Sequence, residues 1–142
     1  TNTFALSPDR PGTIAVEYTA NEAVFNWTRS TVAENYLVAL WPQPAGSTTY
    51  TYPKIENGVQ YTGDSFFGNG SAVNPPGSFV VYTGDDTTVH VTNLKSNTEY
   101  YYILYAYNGN GIYTSYSTAR TGSFSTPKHK PNIQVSALSV SQ

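Results

Sequence analysis

The chain has 142 residues, of which 11% are charged, with a formal net charge of −2 and no cysteine. Those values argue against a basic nucleic-acid-binding face, and they exclude a disulfide framework, a thiol nucleophile and a cysteine metal site. An aromatic content of 15% argues against disorder. No apolar run reaches the roughly 18 residues of a membrane helix. The length is that of one ordinary domain, able to bury a core without a metal or disulfides. Thr1 opens the chain without a signal peptide, which fits a mature form or an excised piece.

Composition favours strands. Tyr, Thr and Val are frequent, and such side chains suit a pleated, half-buried surface. Apolar residues nowhere recur at helical spacing. Period-two alternation begins with Ile14, Val16 and Tyr18 on one face. After the turn Ala20-Asn21-Glu22, a second strand carries Ala23, Phe25 and Trp27 on one face. In the third, Tyr36, Val38 and Leu40 alternate with Leu37, Ala39 and Trp41. A fourth covers 78–83 and ends at Gly84-Asp85-Asp86. Val89 and Val91 then alternate with His90 and Thr92. The longest strand spans 99–107 and the last 118–125. Seven short strands separated by turn signals predict an antiparallel sandwich or barrel.

Between the third and fourth strands, residues 42–76 differ in kind. They hold Pro42, Pro44, Pro53, Pro75 and Pro76 with Tyr50, Tyr52, Tyr61, Phe66 and Phe67. A structureless loop of that length is unusual in a compact domain, and the aromatics predict an ordered insertion packed on the sandwich. Three parts follow: 1–11, an N-terminal segment that can pair as a strand; 12–127, the sandwich; and 128–142, a linker plus an extra terminal strand. In the last, Ile133 and Val135 alternate with polar neighbours, and Leu138 and Val140 continue the apolar run out of phase.

The segment Leu94-Lys95-Ser96-Asn97-Thr98-Glu99-Tyr100 resembles the tyrosine corner of β-sandwich domains, in which a tyrosine hydroxyl bonds back to backbone near the leucine. With Trp27 on the second strand and Tyr36 opening the third, the chain is similar to the fibronectin type III family from about Gly12 to Thr126. Trp27, Tyr36, Leu94 and Tyr100 are therefore the expected structural residues. The stretches Asn57-Gly58-Val59-Gln60-Tyr61, Phe67-Gly68-Asn69-Gly70-Ser71 and Tyr105-Ala106-Tyr107-Asn108-Gly109 resemble a long-insertion variant. That variant occurs in secreted and surface proteins of Bacteroidetes-type bacteria, often in tandem. The resemblance implies an immunoglobulin-like seven-stranded sandwich and an extracellular or cell-surface, non-catalytic module.

Catalytic chemistry finds little support. Asp85 and Asp86 are adjacent in a turn, whereas a glycosidase needs two carboxyls facing each other across a cleft. His90 and His129 lack zinc spacing, and no Gly-x-Ser-x-Gly elbow occurs. No cofactor is expected; Asp64, Asn69, Asp85 and Asp86 offer calcium ligands without the alternating pattern of a calcium hand. Two binding readings stand. Ile133, Val135, Leu138 and Val140 are candidates for self-association with a neighbouring module by strand addition, as in a filament subunit or an array of adhesion modules. Trp41, Tyr113 and Tyr116 are candidates for stacking on a glycan, as in a carbohydrate-binding module of a secreted enzyme.

Overall fold

A computed structural model describes residues 8–44 and 46–128. The expected self-association residues Ile133, Val135, Leu138 and Val140 lie outside the described residues, as does the N-terminal segment up to residue 7. The strands are β1 (Ile14–Tyr18), β2 (Ala23–Trp27), β3 (Asn35–Pro42), β4 (Ala72–Val73), β5 (Ser78–Gly84), β6 (Thr88–Val91), β7 (Glu99–Asn108), β8 (Ser115–Tyr116) and β9 (Arg120–Ser125). They form two antiparallel sheets. The smaller has the order β1-β2-β6; the larger runs β4-β5-β3-β7, with β8 and β9 both pairing β7. This is the all-β sandwich that the alternation predicts.

Period-two patterning accounts for the core between the sheets. Phe25 and Trp27 on β2 face Tyr36, Val38 and Leu40 on β3 and Tyr100, Tyr102 and Leu104 on β7, and all of them are buried. Aromatic edges fill the space: Phe25 meets Tyr102 and Phe124 edge-on at 5.4 and 5.7 Å, and Trp27 meets Tyr36 at 5.7 Å.

The last strand is shorter than the expected 118–125. Ser117 both donates its N–H to the Ala106 carbonyl and accepts the Ala106 N–H on its hydroxyl. A side chain thus occupies a position that a strand carbonyl would take, and pairing resumes only at Arg120.

Beyond β3 the chain does not form a loose loop. Gln43 N–H donates to the Glu99 carbonyl, and Tyr52, Ile55 and Tyr61 lie on the outer face of the larger sheet, over Leu37, Ala39, Val80 and Ile103. The chain then crosses β5. Asp64 N–H donates to the Val80 carbonyl, and Val80 N–H donates to Ser71. Two glycines permit this close approach: a Cβ on Gly63 would strike the Tyr82–Thr83 backbone, and one on Gly70 would strike the Val80 carbonyl. Phe67 N–H reaches the Thr92 carbonyl just past β6, while its ring meets Tyr100 and Phe79 edge-on. Residues 64–71 thereby close the side of the sandwich between β5 and β6.

Tyrosine hydroxyls fasten the turns to the strands. Ser30 N–H donates to Tyr36 Oη (2.7 Å), Asp86 N–H to Tyr82 Oη (2.8 Å) and Lys95 N–H to Tyr100 Oη (2.8 Å). The third bond is the tyrosine corner, with Leu94 buried beside it. Tyr100→Phe keeps the ring and leaves the Lys95 N–H without its acceptor. A loss of about 1–3 kcal/mol is expected, measured as a lower urea midpoint at unchanged slope; an unchanged midpoint would contradict this role.

Candidate functional site

Surface chemistry is sparse and scattered. No group of three or more His, Asp or Glu side chains converges among the described residues. The carboxylate of Asp64 accepts the Phe66 N–H and holds its own turn. At Asp85 the backbone carbonyl, not the carboxylate, accepts from Arg29. His90 meets Glu22 at 2.6 Å on the outer face of the smaller sheet, both side chains being more than half exposed. A pair so placed contributes at most about 1 kcal/mol. It borders a shallow hollow of about 200 Å³ with Glu17, Tyr18 and Val24.

The three aromatic residues expected to stack on a glycan do not form one platform, and two of them are buried. Trp41 is only 8% exposed, with its indole beside Tyr101 at 5.9 Å. Tyr116 is also 8% exposed; its hydroxyl donates to the Val59 carbonyl, and its ring lies among Tyr61, Tyr105 and Tyr107. Tyr113 is partly buried in a 3-10 turn. Trp41 pairs with Tyr101, and Tyr116 pairs with Tyr107. Six residues of extended β7 separate the two sites, about 20 Å.

An aromatic stack does occur elsewhere. Tyr50 lies nearly parallel to Tyr101 at 5.5 Å, Tyr52 meets both edge-on, and Tyr50 remains 63% exposed. In the sequence these residues belong to different segments. The alternation Tyr50-Thr51-Tyr52 signals a shared face, but the spacing gives no hint that Tyr101 lies beneath it.

The second geometric feature is where the chain enters and leaves. Near the entry, Ser30 Oγ donates to the Asp9 carbonyl and Thr31 Oγ1 to the Asp9 carboxylate. This is the end of the sandwich where β7 finishes, since Asn108 Nδ2 donates to the Val32 carbonyl. Near the exit, Asn97 N–H donates to the Pro127 carbonyl and Thr126 N–H to Thr98, at the end where β7 begins. Entry and exit therefore occupy opposite poles, separated by the ten residues of β7.

No family model and no curated protein matches the chain. Solved structures do. A computationally redesigned β-sandwich protein shares 22% identity over 89% of this chain and 96% of that one, with a TM-score of 0.55. The solution structure of a human FNIII domain shares 14% over 92% and 88%, also at 0.55. The FN1–FN3 domains of chicken CNTN1 share 19% over 85% of this chain and 32% of theirs, at 0.52. The architecture is an immunoglobulin-like β-sandwich. Its fold is that of fibronectin type III domains.

Tyrosine burial makes this fold sensitive to alkali. Burial raises the pKa of Tyr100, Tyr102, Tyr105, Tyr107 and Tyr116 above the ordinary value of 10.0; at Tyr116 the neighbouring Tyr107 and Tyr61 raise it further, and at Tyr100 the Lys95 N–H opposes the rise. Above pH 10 the unfolded chain loses these protons before the native state does. It then binds fewer protons than the native state, so stability falls as pH rises. Urea midpoints should be level from about pH 7 to 9 and decline from about pH 10, with most of the tyrosinate absorbance appearing only on unfolding. Ionisation of all 13 tyrosines near pH 10 in an intact fold would contradict this.

Proposed function

We propose that this chain is a non-catalytic, extracellular structural or adhesive module, working as one unit of an array or filament and joined to its neighbours through its terminal strands. The observation that carries this reading is the placement of entry and exit at opposite poles. A chain so threaded passes from unit to unit along one axis, without doubling back. The fold supports it, being that of modules such as the FN1–FN3 run of chicken CNTN1. So does the sequence beyond Pro131, where Ile133 and Val135 alternate as a further strand would. The expected parts are the N-terminal segment 1–11, the domain 12–127 with its insertion 42–76, and the linker and strand 128–142.

Sedimentation of the full chain against a version ending at residue 131 tests the terminal strand. The full chain is expected to form larger assemblies and the shortened one to be monomeric. Equal size in both would overturn joining through that strand.

The exposed Tyr50 ring stacked on Tyr101 favours a second reading, binding of a neutral glycan. A sugar ring would lie on the open face of Tyr50, not on Trp41. Glycan-array binding that disappears in Tyr50→Ala, with the unfolding midpoint preserved, would promote that reading. An array on which the parent chain binds nothing would remove it.

A further inference from the structure

The surface is polarised along the strand axis. The larger apolar side chains that reach solvent among the described residues gather at the two ends. Val32, Val59 and Ile112 are exposed at the entry pole; Tyr18, Tyr50 and Phe66 are exposed toward the exit pole. Their places follow from pairing. Val32 accepts from Asn108 at the end of β7, and Val59 accepts from Tyr116, opposite Tyr107. Tyr18 pairs with Ala23 at the far end of β2, Phe66 bridges Thr92, and Tyr50 stacks on Tyr101 near the start of β7.

Charge divides along the same axis. Asp9, Glu34, Asp85 and Asp86 all lie at the entry pole and are exposed. The last two follow Gly84, whose partner is Tyr36 at the start of β3. Arg10 and Arg29 lie there too, but Arg29 is already engaged, donating to the Asp85 carbonyl and lying over the Tyr36 ring at 5.9 Å. The exit pole carries every lysine of the described residues: Lys54 bridging Asn74, Lys95 in the corner, and Lys128 at the exit. Of the acids in that half, Glu22 is matched by His90 and Asp64 is held in its turn; Glu99 is half-buried.

One end is therefore acidic with an apolar centre, and the other is basic with apolar side chains of its own. We infer that the two poles are complementary faces of a head-to-tail contact, the entry pole of one copy seating on the exit pole of a second copy of this chain. Such a contact uses different surfaces on each partner, so it propagates instead of closing on itself. Opposite charge at the rim orients the approach and opposes head-to-head pairing. This inference rests on the array reading above and adds to it a surface that the terminal strands do not supply.

The test uses the full chain. In one variant the entry pole is reversed, Asp85→Lys with Asp86→Lys; in the other the exit pole is reversed, Lys95→Glu with Lys128→Glu. All four side chains are exposed, and at Asp85, Asp86 and Lys95 backbone atoms make the recorded hydrogen bonds, so the unfolding midpoints are expected to hold. Each variant alone should self-associate about tenfold more weakly than the parent. An equimolar mixture should regain parental association, because reversed entry then meets reversed exit. Association of the parent should also weaken at about 1 M salt, where screening acts within about 3 Å. Parental association by each variant alone, no recovery on mixing, or a parent that stays monomeric would each overturn the pole contact. Should one pair fail to fold, Glu34→Lys or Lys54→Glu replaces it, with the same outcomes. Assembly that disappears on shortening to residue 131 but ignores charge reversal would sink the pole contact and leave strand joining intact; the converse result would do the opposite.

Discussion

The third strand has two apolar faces. Tyr36, Val38 and Leu40 point into the sandwich, Leu37 and Ala39 point out of it, and all five are fully buried. A strand of this kind cannot sit in a two-layer sandwich with one wet face; it must be covered twice. One cover is the smaller sheet. The other is the length of chain between β3 and β5, which brings Tyr52, Ile55 and Tyr61 onto Leu37, Ala39 and Val80. That requirement explains the long excursion, its aromatic content, and the two glycines that let it cross β5 in close contact.

Tyrosine answers a second problem in the same architecture. A sandwich of short strands has many turns, each with backbone N–H groups to satisfy. Tyr36, Tyr82 and Tyr100 each place a ring in or against the core and a hydroxyl at the strand end, where it accepts an N–H from a nearby turn. Tyr61 does the same within the covering segment, accepting from Glu56. A phenylalanine would pack as well but leave the turn untied. A Tyr count of 13 against 6 Phe is thus part of how this chain holds its loops.

The sandwich was legible because burial leaves a period-two trace, and the seven alternating runs coincide with strands. The corner from Leu94 to Tyr100 was legible because its residues are close in sequence. What escaped depends on contacts between distant segments. Trp41 alternates with Val38 and Leu40 as a residue on the outer face should, yet nothing near it reveals that Tyr101, with Tyr50 and Tyr52 around it, occupies that face. The break before Arg120 escaped for a smaller reason: a serine hydroxyl replaced a carbonyl in the ladder, which alternation cannot register. The division of charge between the poles is likewise invisible along the chain, since Asp9, Glu34 and Asp85 come together only when the strand ends meet.

Opposite entry and exit also decide how the domain meets tension. β1 leads from the entry pole and pairs with β2 over five positions; β9 leads to the exit pole and pairs with β7 over six. A pull applied between the two ends acts along these strands, so each ladder is loaded in shear. Its hydrogen bonds resist together instead of parting one after another, as they would if both ends emerged on one side. The first and last strands belong to different sheets, and the force must therefore pass from one to the other through the packed rings of Phe25, Tyr102 and Phe124. The aromatic core is then the element that carries the load as well as the one that drives folding.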